Sequence, residues 1–127
     1  KGFLKESGNL QKDVLGIKAC RSKIDQYAFI APRRLRLLRE GAPVTEADDI
    51  FVRPIRTIGI HGPRVSLTAS ERLYLPLSLV AEIEVIEAGW KVFPEAKLRE
   101  LLDYGRLHGL GQFANGGFGT FEYTLSM

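Results

Sequence analysis

The chain has 127 residues, a length that suits one domain built on one hydrophobic core. Its composition, 45% hydrophobic and 26% charged, is that of an ordinary globular protein, and it holds no apolar run long enough for a transmembrane helix. A single cysteine, Cys20, excludes an internal disulfide framework and the cysteine-rich class of zinc sites.

Charge is distributed unevenly along the chain, although the net charge is only +3. Residues 28–39 contain four arginines and no acid, and residues 51–75 contain four arginines and one acid. Residues 81–103 reverse the balance, with six acids and three bases. This pattern favours one positive surface suited to a polyanion, and the alternative is a solvated surface that is merely rich in arginine.

The N-terminal third has helical spacing followed by an extended segment. Leu10, Val14, Ile17 and Ile24 predict one side of a helix that breaks near Gly8–Asn9 and ends before Tyr27. Residues 28–38 read as a strand, in which Pro32 lacks a backbone donor and indicates an edge or a bulge.

The middle of the chain predicts an arginine-bearing hairpin. Residues 39–49 form a polar turn region, and residues 50–60 and 64–75 are extended segments on either side of a turn at His61–Pro63. We expect this hairpin to be an insertion of about residues 40–75.

The last third contains the clearest periodicities. Residues 77–88 alternate as a strand with one buried side, on which Leu77, Leu79, Ala81, Ile83 and Val85 lie. Residues 94–108 predict a helix that begins at Pro94, buries Leu98, Leu101, Leu102 and Leu107, and ends at a left-handed Gly109. Residues 120–126 alternate again and predict a final strand.

This order of elements predicts an α+β fold of the ferredoxin-like (RRM-like) class. Such a fold combines an antiparallel sheet with two helices in the order strand, helix, strand, strand, helix, strand. We expect residues 1–127 to form a single such domain that carries the inserted hairpin and lacks the first strand. That omission suggests the C-terminal part of a longer protein.

A glycine-rich stretch, GLGQFANGGFG, occupies residues 109–119. A nucleotide-binding phosphate loop would follow a strand and precede a helix, which is the reverse of the order here. Two interpretations stay open. The glycines form a tight structural turn, or they expose backbone amides to which a nucleic acid can come close while Phe113 stacks on a base.

In its helix, loop and strand context, Gly109-Leu110-Gly111 followed by Gly117-Phe118-Gly119 resembles the glycine-rich loop of the RAMP superfamily of CRISPR-associated proteins. The wider stretch LLDYGRLHGLGQFANGGFGTFEY is also similar to uncharacterised phage proteins. The RAMP resemblance implies RNA binding, a ferredoxin-like fold and a place in a crRNA-guided or phage-encoded complex of antiviral defence. This loop carries no charged residue, which departs from the family and shifts phosphate contacts to the upstream arginines.

We therefore expect a protein that binds single-stranded nucleic acid, RNA in preference to DNA, beside other protein subunits along the strand. It would act in the cytoplasm of a prokaryotic cell or a phage-infected host, without a cofactor, a metal or a membrane. The expected contact residues are Arg33, Arg34, Arg36, Arg53, Arg56, Arg64, Gly109, Gly111, Phe113, Gly117, Phe118 and Gly119.

Catalysis is the weaker expectation. Cleaving relatives in the superfamily use acid-base chemistry without metal, and His61 and His108 are the histidines available here. His61 also fits an ordinary turn, and His108 fits the negative end of a helix dipole. The alternatives are thus a metal-independent endoribonuclease and a phage structural protein that does not bind nucleic acid.

Overall fold

The computed structural model describes residues 1–111 and 116–127 and shows a mixed α+β protein. Its elements in chain order are α1 (Gly2–Leu10), α2 (Lys12–Leu15), α3 (Cys20–Tyr27), β1 (Ala28–Ala31), β2 (Leu38–Arg39), β3 (Ala42–Pro43), β4 (Asp49–Gly59), β5 (Gly62–Arg72), β6 (Glu82–Val85), α4 (Glu87–Trp90) and α5 (Glu95–His108).

The chain divides into two compact units. Lys1–Arg33 and Ala81–Met127 form one, which we call the helical unit, and Arg34–Val80 form the other, the hairpin unit. In the helical unit β1 pairs antiparallel with β6, with Ala28 opposite Val85. The hairpin unit holds two further antiparallel pairs, β2 with β3 and β4 with β5.

The hydrophobic core lies in the helical unit, where α1 packs against α3 and α5. Its most deeply buried large side chains are Ile24 and Leu101, each about 1% exposed. Gly8 allows α1 and α3 to come close, because a Cβ there would lie 2.7 Å from Ile24 Cδ1 and 2.8 Å from Cys20 Sγ. The helices rather than a sheet therefore form most of the core.

The N-terminal helix differs from the sequence prediction. Ile17 and Ile24 are buried as expected, but Leu10 is 54% and Val14 76% exposed. The helix is interrupted at Gln11 and again at Gly16, whose φ of 67° is left-handed. Because these interruptions change the direction in which side chains point, Leu4 and Leu15 fill the core instead.

Helix α5 agrees closely with its periodicity. Leu98, Leu101 and Leu102 are buried, whereas Leu107 is 69% exposed, so its predicted burial was wrong. The Gly109 N–H donates to the Gly105 carbonyl at 2.8 Å and ends the helix. Gly109 has the expected positive φ, 98°, but its ψ of 157° is extended, so the predicted left-handed cap was wrong.

The two strands of the helical unit are shorter than predicted. The first ends at Ala31, because Pro32 cannot donate to a ladder. Only Glu82–Val85 of residues 77–88 are a strand, and within it Ile83 and Val85 face inward as expected. Leu79 and Ala81 are exposed, which corrects their predicted burial.

The segment after the glycine loop is not a strand. Phe121, Tyr123 and Leu125 alternate inward as predicted, but the segment lies along α5 instead of joining a sheet. The Tyr123 hydroxyl donates to Asp103 at 2.7 Å, and the Phe121 N–H donates to the Arg106 carbonyl at 3.2 Å. The sheet formed by β1 and β6 consequently has two strands among the described residues, and the ferredoxin-like sheet is not confirmed.

Candidate nucleic-acid interface

The long hairpin of β4 and β5 has 11 residues in each strand and carries three of the predicted arginines. Its turn is Ile60–His61, between the paired Gly59 and Gly62. Because side chains alternate along a strand, the register sorts them onto two faces. The arginine face carries Asp49, Phe51, Arg53, Ile55, Thr57, Arg64, Ser66, Thr68, Ser70 and Arg72, and the apolar face carries Ile50, Val52, Pro54, Arg56, Ile58, Pro63, Val65, Leu67, Ala69 and Glu71.

The structure brings some predicted arginines together and separates others. Arg53 and Arg64 share the arginine face, opposite Thr68 and Thr57 respectively. Arg56 lies on the apolar face, so one flat surface does not contain all three. Residues 32–37, which hold Arg33, Arg34 and Arg36, form an exposed connection without helix or strand. Arg34 and Arg36 belong to the hairpin unit.

The base of the hairpin is held by a network of five residues that sequence reasoning did not single out. Arg72 donates to both oxygens of Asp49, at 2.8 and 2.6 Å. Arg39 donates to both oxygens of Asp48, at 3.1 and 2.5 Å. Tyr74 joins the two pairs, because its N–H donates to Asp48 and its hydroxyl donates to Asp49. The adjacent pair Asp48–Asp49 was the sequence feature that could have indicated this network. The arginines that pair with these two acids follow only from the strand register.

These bonds shift the carboxylates toward their charged forms. The hydrogen bonds from Arg72, and then that from Tyr74, lower the pKa of Asp49 to about 2. The hydrogen bonds from Arg39 and the Tyr74 N–H lower the pKa of Asp48. Arg39 and Arg72 are therefore structural cations, already neutralised by acids of their own hairpin.

We expect the hairpin to lose this stabilisation in acid. The pKa of Asp49 is about 2 in the folded protein and about 3.9 in an unfolded chain, so its contribution is present above pH ~4 and is lost as the pH falls toward ~2. Carboxyl titration followed by NMR should place the Asp49 pKa near 2, and Arg72→Ala should raise it toward ~3.9. An Asp49 pKa that does not respond to Arg72→Ala would contradict the network.

Four exposed arginines of the hairpin unit differ from Arg39 and Arg72, because no acid in the described part of the chain neutralises them. Over residues 1–111 and 116–127, Arg34, Arg36, Arg56 and Arg64 make no ion pair with an acid. Their guanidinium groups remain available to an external anion. Three of them, Arg34, Arg36 and Arg64, lie off the apolar face.

The base of the glycine loop has a structural role. The Leu110 N–H donates to the Gly119 carbonyl at 2.8 Å, and Gly119 has φ of 77°. A Cβ at Gly119 would lie 1.8 Å from the Leu110 carbonyl oxygen, so no other residue fits. Gly111 and Gly117 also have positive φ, but a Cβ at either would meet no atom of the described residues within 4 Å. Phe118 is 37% exposed, and Phe113 lies outside the described residues.

The two histidines lie in different units, His61 at the tip of the hairpin and His108 at the end of α5. His108 stacks on Tyr104 with ring centroids 5.9 Å apart, and its Nε2 lies 3.4 Å from Glu6 Oε1. His61 is exposed.

Within the described part of the chain, no group of three His, Cys, Asp or Glu side chains could hold a metal ion. None of the described helices is long and apolar enough to cross a membrane. An open depression of about 340 Å³ in the helical unit is lined by Lys5, Lys12, Arg21, Asp25 and their neighbours, none of them a predicted site residue.

Comparison with known proteins gives a partial relative. The chain is 38% identical over 65 residues to the large ribosomal subunit protein bL9 of Novosphingobium aromaticivorans. The match covers 49% of this chain and 33% of that protein, so the chain spans about a third of its relative's length. No family model matches, and no solved structure matches.

These findings correct the family assignment. No comparison points to the RAMP superfamily, and the partial relative is a ribosomal protein. The predicted RAMP-like role, binding single-stranded nucleic acid in a crRNA-guided or phage-encoded complex, is therefore wrong. The resemblance rested on a short glycine pattern, and the close approach to Leu110 explains Gly119 within that pattern without a nucleic acid. The endoribonuclease and phage structural alternatives, which arose from the same resemblance, have no support either.

Proposed function

We propose that the chain binds structured RNA as a component of a ribonucleoprotein, through phosphate contacts made by arginines of the hairpin unit. The observation that carries this proposal is that Arg34, Arg36 and Arg64 are exposed and make no ion pair with described acids. The partial similarity to a protein of the large ribosomal subunit favours RNA as the polyanion. A role beside ribosomes would place the chain in the cytoplasm.

The composition of the hairpin unit supports a phosphate surface. Arg34–Val80 contain seven arginines, no lysine and five acids. Arginine presents a planar fork of donors that matches phosphate oxygens two at a time, which lysine cannot do. Two of the five acids, Asp48 and Asp49, are occupied by Arg39 and Arg72 and do not compete for the exposed arginines.

Arg33, Arg53 and Arg56, which were also predicted to contact nucleic acid, would contribute to RNA binding in different ways. Arg53 shares the arginine face with Arg64 and extends the contact along the hairpin. Arg33 adjoins Arg34 in the exposed connection. Arg56 lies on the other face and would contact only an RNA that wraps around the hairpin. The loop glycines and Phe118 are peripheral, because the loop brings no charge to the phosphates.

Replacement of Arg34, Arg36 and Arg64 together by alanine tests the proposal. Each lost phosphate contact reduces the steepness of log affinity against log salt concentration by about 0.7–0.9, so we expect the slope to flatten by about 2–3 and the affinity to fall about 100- to 500-fold near 0.1 M salt. Fluorescence anisotropy with a labelled RNA stem-loop measures both quantities.

The matched control removes three exposed cations from the helical unit, by Lys12→Ala, Lys18→Ala and Lys91→Ala. It has the same net charge as the arginine variant and should keep most of the affinity. Equal losses in the two variants would show that net charge alone attracts RNA. No binding at low salt, or tighter binding to a DNA duplex of the same sequence, would contradict the proposal.

A further inference from the structure

The apolar face of the β4–β5 hairpin is exposed to an unusual degree. A two-stranded hairpin with one uncovered hydrophobic side is marginally stable in water, and contiguous exposed apolar patches mark interaction surfaces. Five aliphatic side chains of this face are more than half exposed, namely Ile50 at 58%, Val52 at 54%, Ile58 at 91%, Val65 at 65% and Leu67 at 75%.

Two opposite charges interrupt this otherwise apolar face, one at its base and one a pair short of its tip. Glu71 is opposite Ile50 near the base of the hairpin, and Arg56 is opposite Val65 toward its tip. The six-residue step from Ile50 to Arg56 corresponds to about 20 Å along the strand. Neither Arg56 nor Glu71 has an ion-pair partner within residues 1–111 and 116–127. The apolar centre lies midway between them.

We propose that a second copy of this chain covers the apolar face, with the two hairpins packed face to face and running in opposite directions about a two-fold axis. The axis passes the midpoint between Arg56 and Glu71. It places Arg56 of each copy above Ile50 of the other, beside the cross-strand Glu71. Two equivalent ion pairs then flank one apolar centre, which is the self-complementarity that a two-fold interface requires.

The geometry favours pairing through faces over pairing through edges. Packed sheets lie about 10 Å apart, a gap that an arginine and a glutamate can close together. Pairing through an edge would need a continuous row of N–H donors, and Pro54 and Pro63 interrupt that row on β4 and β5. The apolar face is thus the surface through which the hairpins can join.

The area of the apolar face limits the expected affinity of the dimer. Eleven residues in each of two strands cover about 37 Å by about 10 Å, which is smaller than most permanent interfaces. We therefore expect a reversible dimer whose population rises with concentration. Since Arg53 and Arg64 lie on the arginine face and not on this one, we expect the association to occur without nucleic acid.

Sedimentation velocity of the full chain, from micromolar to millimolar concentration and free of RNA, tests the proposal. Leu67→Lys introduces a charge at the apolar centre and should leave only monomer. Ser66→Lys adds the same charge on the arginine face and should dimerise like the parent. Both positions are exposed, and far-UV circular dichroism checks that both variants fold. A parent that stays monomeric throughout, or a dimer that persists in Leu67→Lys, would overturn the proposal.

A charge exchange tests the orientation of the two copies. Arg56→Glu and Glu71→Arg alone should each weaken the dimer by about tenfold or more, because each places like charges together. The double variant, Arg56→Glu with Glu71→Arg, restores opposite charges and should recover most of the loss. A double variant no better than the single ones would rule out the antiparallel arrangement.

Discussion

Leu101→Ala is expected to lower the free energy of unfolding by about 2–5 kcal/mol, the range for a large aliphatic side chain truncated in a packed core. Leu101 is 1% exposed and belongs to the same buried cluster as Leu4 and Ile24. Its removal leaves a cavity where α5 meets the other helices, which can close only in part. Urea denaturation followed by the fluorescence of Trp90, in the same unit, measures the loss.

Leu107→Ala is the matched control for this prediction. It removes the same atoms from the same helix, but Leu107 is 69% exposed and little apolar contact is lost. We expect a change within about 0.5 kcal/mol. Similar losses in the two variants would show that the core does not lie on the side of α5 that carries Leu98, Leu101 and Leu102.

Gly119→Ala is expected to cost about 2–3 kcal/mol, from two sources. An alanine at φ of 77° is strained by about 1–2 kcal/mol. Its Cβ would also lie 1.8 Å from the Leu110 carbonyl oxygen, so the backbone must move and the Leu110–Gly119 hydrogen bond, worth about 1 kcal/mol, is lost. We expect the same urea denaturation to show the loss, together with faster hydrogen exchange at Leu110 and Phe121.

Gly117→Ala separates the two sources. Gly117 has a similar φ of 85°, but among the described residues its Cβ would meet nothing within 4 Å. Only the conformational strain remains, so the cost should be about 1 kcal/mol. If both variants lost the same stability, the contact between Gly119 and Leu110 would not hold the base of the loop.

The sequence predicted correctly several features that lie within a single helix, turn or hairpin. The spacing of Leu98, Leu101 and Leu102 predicts the buried side of α5, and all three are buried. The polar turn region contains the tight turn at Glu40–Gly41, where both residues have positive φ. The two extended segments around His61 form the predicted hairpin. Each of these features follows from periodicity or turn chemistry within a few residues.

Features that depend on distant partners were not predictable. Phe121, Tyr123 and Leu125 alternate like a strand, but their alternation specifies an inward side and not a sheet partner. In the structure that partner is α5, which offers the Arg106 carbonyl and the Asp103 carboxylate. Likewise, the predicted burial of Leu10 and Val14 was wrong, because the chain breaks at Gln11 and Gly16. Residues on the two sides of a break do not share one helical face.

The same division holds for the candidate interface. The sequence by itself determined that the middle of this chain is a basic, arginine-bearing hairpin, because composition and alternation are properties of neighbouring residues. Only the tertiary structure decided which arginines are neutralised by Asp48 and Asp49, and that Arg56 lies on the face opposite Arg53 and Arg64. These outcomes depend on strand register, and a shift of one residue would exchange the two faces of a strand.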